Sequence, residues 1–141
     1  MIKVTRVITS QHTMDSLIKI LSDPNFTIPR LFPTIKMLII RDGSFNGKAK
    51  YFLYQHEVKG NVYVSQNEIS VPFTLFYKEK IGSGKLSISF RPNGQIAEIV
   101  LSLSYEGWME KLSNRLLNKW IESFLHGLEE DLRLERIKRK I

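Results

Sequence analysis

Residues 113–139 read SNRLLNKWIESFLHGLEEDLRLERIKR, and this stretch decides the fold. Leu117, Ile121, Phe124, Leu125, Leu128 and Leu132 fall at i, i+4, i+7, i+8, i+11 and i+15. On a 3.6-residue wheel they form one apolar stripe about 100° wide. Asn118, Lys119, Glu122, His126, Glu129, Glu130, Arg133 and Arg136 occupy the other side. A helix over this span is roughly 40 Å long at about 1.5 Å per residue. That is enough to cross the concave face of a curved sheet.

Upstream of this helix the pattern is almost all strand. Ile2–Thr9 reads as a strand with Ile2, Val4 and Ile8 on one face, shared with Arg6. The period then becomes helical over Thr13–Leu21, with Thr13 as N-cap and Asp15 in the first turn. Asp23-Pro24 ends that helix, and a second short one spans Pro24–Leu31, kept brief by Pro29 and Pro33. Strands are expected over Thr34–Arg41, Lys48–Val58, Asn61–Val71, Phe73–Ile81, Lys85–Arg91 and Ala97–Glu106. Turns are expected at Asp42-Gly43, Lys59-Gly60-Asn61, Gly82-Ser83-Gly84 and Pro92-Asn93-Gly94. The predicted order is β-α-α-β6-α, an α+β domain over residues 1–141 with a seven-stranded antiparallel sheet. Only the last helix is long enough to cover that sheet, so it is expected in the sheet's grip.

Composition sets the class. The chain has 141 residues, no cysteine, 43% hydrophobic and 25% charged residues. A single ordinary core is implied, disulfides and thiolate metal sites are excluded, and a reducing, cytoplasmic setting is expected. The first residues, MIKVTRVITS, lack the apolar run of a signal peptide. The net charge is +7, of which Arg133, Arg136, Lys138, Arg139 and Lys140, set against Glu135, supply +4. Cations at a helix C-terminus are favoured by its dipole. Glu129–Arg133 and Glu135–Arg139 have the i,i+4 order that stabilises helices. Helix stabilisation therefore accounts for the tail more economically than nucleic acid, and weak contact with an anionic membrane is the alternative use of these cations.

Three pieces of the chain resemble the helix-grip superfamily of START lipid-transfer domains, polyketide cyclases and Bet v 1-like proteins (SRPBCC). They are HTMDSLIKILSDPNFTIPRLFP after the first strand, the meander of residues 34–106, and YEGWMEKLSNRLLNKWIESFLHGLEEDL leading into the long helix. The Ile- and Lys-rich, Ala-poor texture is similar to that of small proteins of thermoacidophilic archaea sharing this fold. The resemblance implies a cavity between sheet and helix that accepts a hydrophobic or amphipathic small molecule or lipid, with no cofactor. Residues 42–47, DGSFNG, echo the glycine-rich loop of Bet v 1-like proteins only loosely.

Candidate walls for such a cavity are Phe32, Phe52, Tyr54, Phe73, Tyr77, Phe90, Tyr105, Trp120 and Phe124, with His56 and Glu68 as candidate polar anchors. Trp120 flanks the helix stripe, where it would border an opening. Gly127 on the same flank marks either a packing point or a close approach. The route inward would pass the short helices near Pro24–Pro33 and the turns facing them. No catalytic motif is present, and His12, His56 and His126 have no metal-ligand spacing. The leading expectation is a carrier or sensor of an apolar molecule. A cyclase- or dehydratase-like enzyme would need Glu68, His56 and a tyrosine converging in the cavity. A chaperone-regulator or membrane-adaptor module would have the cavity filled by its own aromatics.

Overall fold

A computed structural model of the chain describes residues 1–108 and 110–141, the side chains of residues 111–113 excepted. Met109, which falls within the expected lead into the long helix, lies outside the described residues. The elements are β1 (Ile2–Ser10), α1 (Met14–Leu21), α2 (Pro24–Leu31), β2 (Ile35–Arg41), β3 (Ser44–Tyr51), β4 (Tyr54–Asn61), β5 (Tyr63–Val64), β6 (Glu68–Tyr77), β7 (Lys80–Asn93), β8 (Ile96–Glu106) and α3 (Glu110–Arg139). The strands form one antiparallel sheet in the order β1-β8-β7-β6-β4-β3-β2, with β5 as a short extra pair on β6.

Helix α3, 30 residues long, lies against the inner face of the sheet. Leu117, Ile121, Phe124, Leu128 and Leu132 are buried there, as the stripe requires. Opposite them, Leu86, Ile88, Phe90, Ile99, Leu101 and Leu103 alternate inward from β7 and β8. Each such buried side chain contributes about 1.5–3 kcal/mol. Arg6, the odd member of the β1 face, donates to Glu122 Oε1 and Asn118 Oδ1 of α3, so its charge is met where an apolar residue would otherwise sit. The two short helices close one end of the grip, burying Leu17, Ile20, Leu21, Phe26, Ile28 and Leu31. Thr13 caps α1, accepting from the Ser16 amide, and Asp23 caps α2, accepting from the Asn25 amide.

The strand boundaries correct several expectations. The span expected as one strand from Lys48 to Val58 is a hairpin, turning at Phe52-Leu53 between the paired Tyr51 and Tyr54. Lys59-Gly60-Asn61 is not a turn; it continues β4, and Gly60 faces both Phe45 and Phe73. Gly82-Ser83-Gly84 likewise runs inside β7, the real turn being Lys78-Glu79. These glycines make room for rings. A Cβ at Gly84 would lie 2.5 Å from Phe73 Cζ, one at Gly60 2.5 Å from Phe45 Cζ, and one at Gly82 would strike the Tyr105 hydroxyl. Residues 44–47 are strand β3, not a loop. Pro72 sits within β6, opposite Lys85. It has no N–H to donate, and the pairing of β6 with β4 stops beside it, at Gly60–Phe73, to resume with β5 at Tyr63–Ser70. The turns at Asp42-Gly43 and after Pro92-Asn93 fall as expected, with φ +45° and +81° at Asp42 and Gly43 and +67° at Gly94.

The C-terminal charges also differ in detail. Arg133 pairs with Glu130, three residues back, not with Glu129. Glu129 instead accepts from Ser10 Oγ at 2.7 Å and from the Gln11 amide at 2.9 Å. Glu135–Arg139 forms as expected at 2.8 Å, and Arg139 also reaches Asp23 at 2.6 Å. Arg136 donates to His12 Nδ1, leaving Lys138 and Lys140 exposed without an internal role in this network. No helix among the described residues is long and apolar enough to cross a membrane.

Candidate ligand-binding cavity

The packing between sheet and helix is tight around the C-terminal half of α3 and loosens toward its start. There a cavity of about 40 Å³ remains. Its floor is inward-facing sheet: Tyr51 of β3, His56 and Val58 of β4, Phe73 and Leu75 of β6, and Tyr105 of β8. Its roof is Leu116, Leu117 and Trp120 of α3, and Phe32 and Thr34 close the side where α2 gives way to β2. The volume is room for a water or so, against roughly 300–1,000 Å³ for pockets that hold drug-sized ligands.

Aromatic side chains hold the cavity shut. The half-buried Trp120 meets Phe32 edge-on, centroids 6.2 Å apart, and Phe32 meets Phe73 edge-on at 5.5 Å. At the end nearest the start of α3, Tyr54 contacts Tyr77, Tyr77 stacks on Trp108 at 4.9 Å, and Trp108 sits edge-on to His56 at 6.1 Å. Trp108 Nε1 donates to the Leu75 carbonyl at 3.4 Å, which fixes the indole.

His56, 8% exposed, is the one imidazole among the described residues of this wall, which also holds the Tyr51 and Tyr105 phenols. Burial holds its pKa below the ordinary histidine value, and the bond to the Tyr54 carbonyl opposes this only in part. The ring is therefore neutral at pH 7. Nδ1 lies 3.3 Å from the Tyr54 carbonyl oxygen, which only accepts, so the proton is assigned to Nδ1. Nε2 is then the ring's hydrogen-bond acceptor.

Of the residues expected to face a ligand, the cavity brings together Phe32, His56, Phe73, Tyr105 and Trp120. Tyr54 and Tyr77 stand at its end, Tyr54 being 42% exposed. Phe90 and Phe124 are buried in the packed core away from it. Glu68 is a correction: Ile69, Val71 and Phe73 take the inner face of β6, so Glu68 faces outward, where it accepts from Ser87 Oγ at 2.7 Å. Phe52 is another, since the turn carries it into solvent. Gly127 marks no packing point, because a Cβ there would meet only the Asp131 carboxylate, at 3.5 Å. Tyr51, Thr34, Leu75 and Leu116 line the cavity without any sequence signal that singles them out. Placing Tyr51 requires the turn at Phe52-Leu53, which carries no turn residue. The outer face of the sheet has a wider hollow of about 680 Å³, but it is an open depression over Asn46, Lys59, Thr74 and Ser83 that no element of the described residues covers.

Comparison with known proteins agrees with this architecture. A family model matches residues 1–141, the whole chain. A hypothetical protein from Sulfolobus tokodaii, known from its crystal structure, is 31% identical, covers 98% of this chain and 99% of its own, and superposes with a TM-score of 0.73. A conserved protein from Geobacillus kaustophilus (11% identity, 94% and 95% of the two chains, TM-score 0.74) shares the fold. So does a START superfamily protein from Mycobacterium smegmatis (16% identity, 94% and 97%, TM-score 0.67). No curated protein matches the chain in sequence. The full-length family model and the full-length match to the Sulfolobus protein place this chain in one family with that archaeal protein, and the helix gripped by an antiparallel sheet gives it the START/Bet v 1-like helix-grip fold.

Proposed function

We propose that the chain binds one apolar or amphipathic small molecule between the sheet and the first half of α3, and that Trp120 and Phe32 move aside to admit it. The observation that carries this reading is an apolar void at the loosest part of the core, walled by aromatics and holding one neutral histidine. The bound state replaces the aromatic plug with ligand, so binding is a shift toward an open form that the plug keeps sparse. A ligand burying about 200 Å² of apolar surface gains about 5 kcal/mol, enough to oppose the cost of opening.

The polar chemistry narrows the ligand. Among the described residues, no lysine, arginine or carboxylate lines the void, so a charged head would be buried without a counter-charge. His56 Nε2, as an acceptor, suits a hydroxyl donor. The reading therefore favours a long-chain or ring alcohol or phenol over a carboxylate. Thermal unfolding with dodecanol and with dodecanoate tests this: dodecanol is expected to raise the midpoint more, and the difference should vanish in His56→Leu. Equal effects of both, or none, would count against it.

The small volume favours a second reading, an interaction module whose core is complete without a ligand. The two separate on one property: the module gains no stability from any apolar compound. The cyclase-like reading loses its carboxylate with the outward placement of Glu68.

A further inference from the structure

Four two-residue turns join adjacent strands of the sheet. Three contain Asp42-Gly43, Lys78-Glu79 and Gly94-Gln95; the fourth is Phe52-Leu53. Phe52 is 75% exposed and Leu53 91% exposed, the most solvent-facing apolar pair of the described residues. Phe52 also has φ +54°, a backbone region costly for a bulky side chain and easy for glycine. Its ring meets the neighbouring Tyr51 edge-on, centroids 4.6 Å apart, yet stays mostly in solvent, and an exposed bulky residue on a costly backbone directs attention to a function.

The surroundings specify the partner. Tyr51 and Tyr54 flank the tip, forming its last cross-strand pair. Just behind it Lys36, Lys48, Lys50 and Lys78 line one shallow depression, with Glu57 as its acid. Two apolar residues at a protruding tip, tyrosines one step back and lysines behind them match the layers of an anionic bilayer: acyl region, interface, headgroups. A free anion would use the lysines but leave Phe52 and Leu53 without a role.

We propose that the Phe52-Leu53 tip inserts into the surface of an anionic lipid bilayer, with Lys36, Lys48, Lys50 and Lys78 against the headgroups. Docking in this way sets the cavity end of the molecule on the membrane, since Tyr51 lines the cavity and adjoins the tip. It lies at the opposite end of α3 from Lys138 and Lys140, the exposed cations of the C-terminal tail. The proposal rests on exposure, backbone and charge, and stands or falls apart from any ligand in the cavity.

The test is sedimentation of the full chain with phosphatidylcholine vesicles, with and without phosphatidylglycerol, beside thermal unfolding and light scattering. The wild type is expected to sediment with the phosphatidylglycerol vesicles and about tenfold less with phosphatidylcholine alone. Phe52→Gly is expected to lose binding while unfolding at the same or a higher temperature, because it relieves the positive φ. Leu53→Asp should also lose binding, and Lys50→Glu with Lys78→Glu should abolish the preference for the anionic lipid. The proposal is overturned if the wild type ignores both vesicle types, or if Phe52→Gly and Leu53→Asp bind as the wild type does. A lipid-free dimer that Leu53→Asp dissociates would also overturn it, by giving the tip to a second copy of the chain.

Discussion

At Gly107 the chain leaves β8 with φ +149°, and a Cβ there would strike the Cα of Gly82. Gly107→Ala is therefore expected to destabilise by more than about 2 kcal/mol, from backbone strain and collision together. Gly127 is the contrast. It lies inside α3, where a Cβ would make only an ordinary contact with Asp131 Oδ2 at 3.5 Å, so Gly127→Ala should stabilise by about 0.5–1 kcal/mol through helix propensity alone. Urea unfolding of the two variants gives the signs directly. His56 sets a pH dependence. Its folded pKa is depressed by burial, so between that value and the ordinary histidine value near 6.5 the unfolded chain binds a proton that the folded chain refuses. The stability tied to His56 is therefore complete above about pH 6.5 and lost as the pH falls below it. His56→Gln removes this component, so the gap between wild type and variant should narrow on acidification, as followed by unfolding at a series of pH values.

At the scale of elements, the polar contacts of α3 are of unequal value. Glu129 receives the hydroxyl of the buried Ser10 and the Gln11 amide, so Glu129→Ala is expected to cost about 1–2 kcal/mol. Arg133, in an exposed pair with Glu130, should be replaceable by alanine without measurable loss. Paired unfolding curves of the two variants test that ranking. The legibility of elements follows the same physics. The 3.6-residue stripe of α3, the caps at Thr13 and Asp23, and the alternation of Ala97, Ile99, Leu101, Leu103 and Tyr105 are local patterns, and each is legible in the order of residues alone. The middle strands are not. Phe52-Leu53 is a turn without a turn residue, and Gly60, Gly82 and Gly84 are glycines without a turn. Their reason is a ring on a neighbouring strand, which one strand's sequence does not display. The face of Glu68 depends on those boundaries and is misread along with them.

For the whole molecule the central claim is a core that is closed but poised to open at one end. The candidate site is legible in part, because Trp120 and Phe32 stand out on their elements, whereas Tyr51, Leu75 and Leu116 meet only through the sheet's curvature. Trp120→Ala removes half of the plug. It is expected to lower stability by about 1–3 kcal/mol, since Trp120 is only half-buried, and to raise the affinity for dodecanol, measurable by isothermal titration. Unaltered affinity in that variant would place the opening elsewhere. The most direct measurement is native mass spectrometry of the protein purified from its own source. One bound, uncharged small molecule per chain, released on unfolding, is the expected result. A bare-chain mass, together with no added apolar compound retained at any concentration, would contradict the cavity's role and leave a core that is complete by itself.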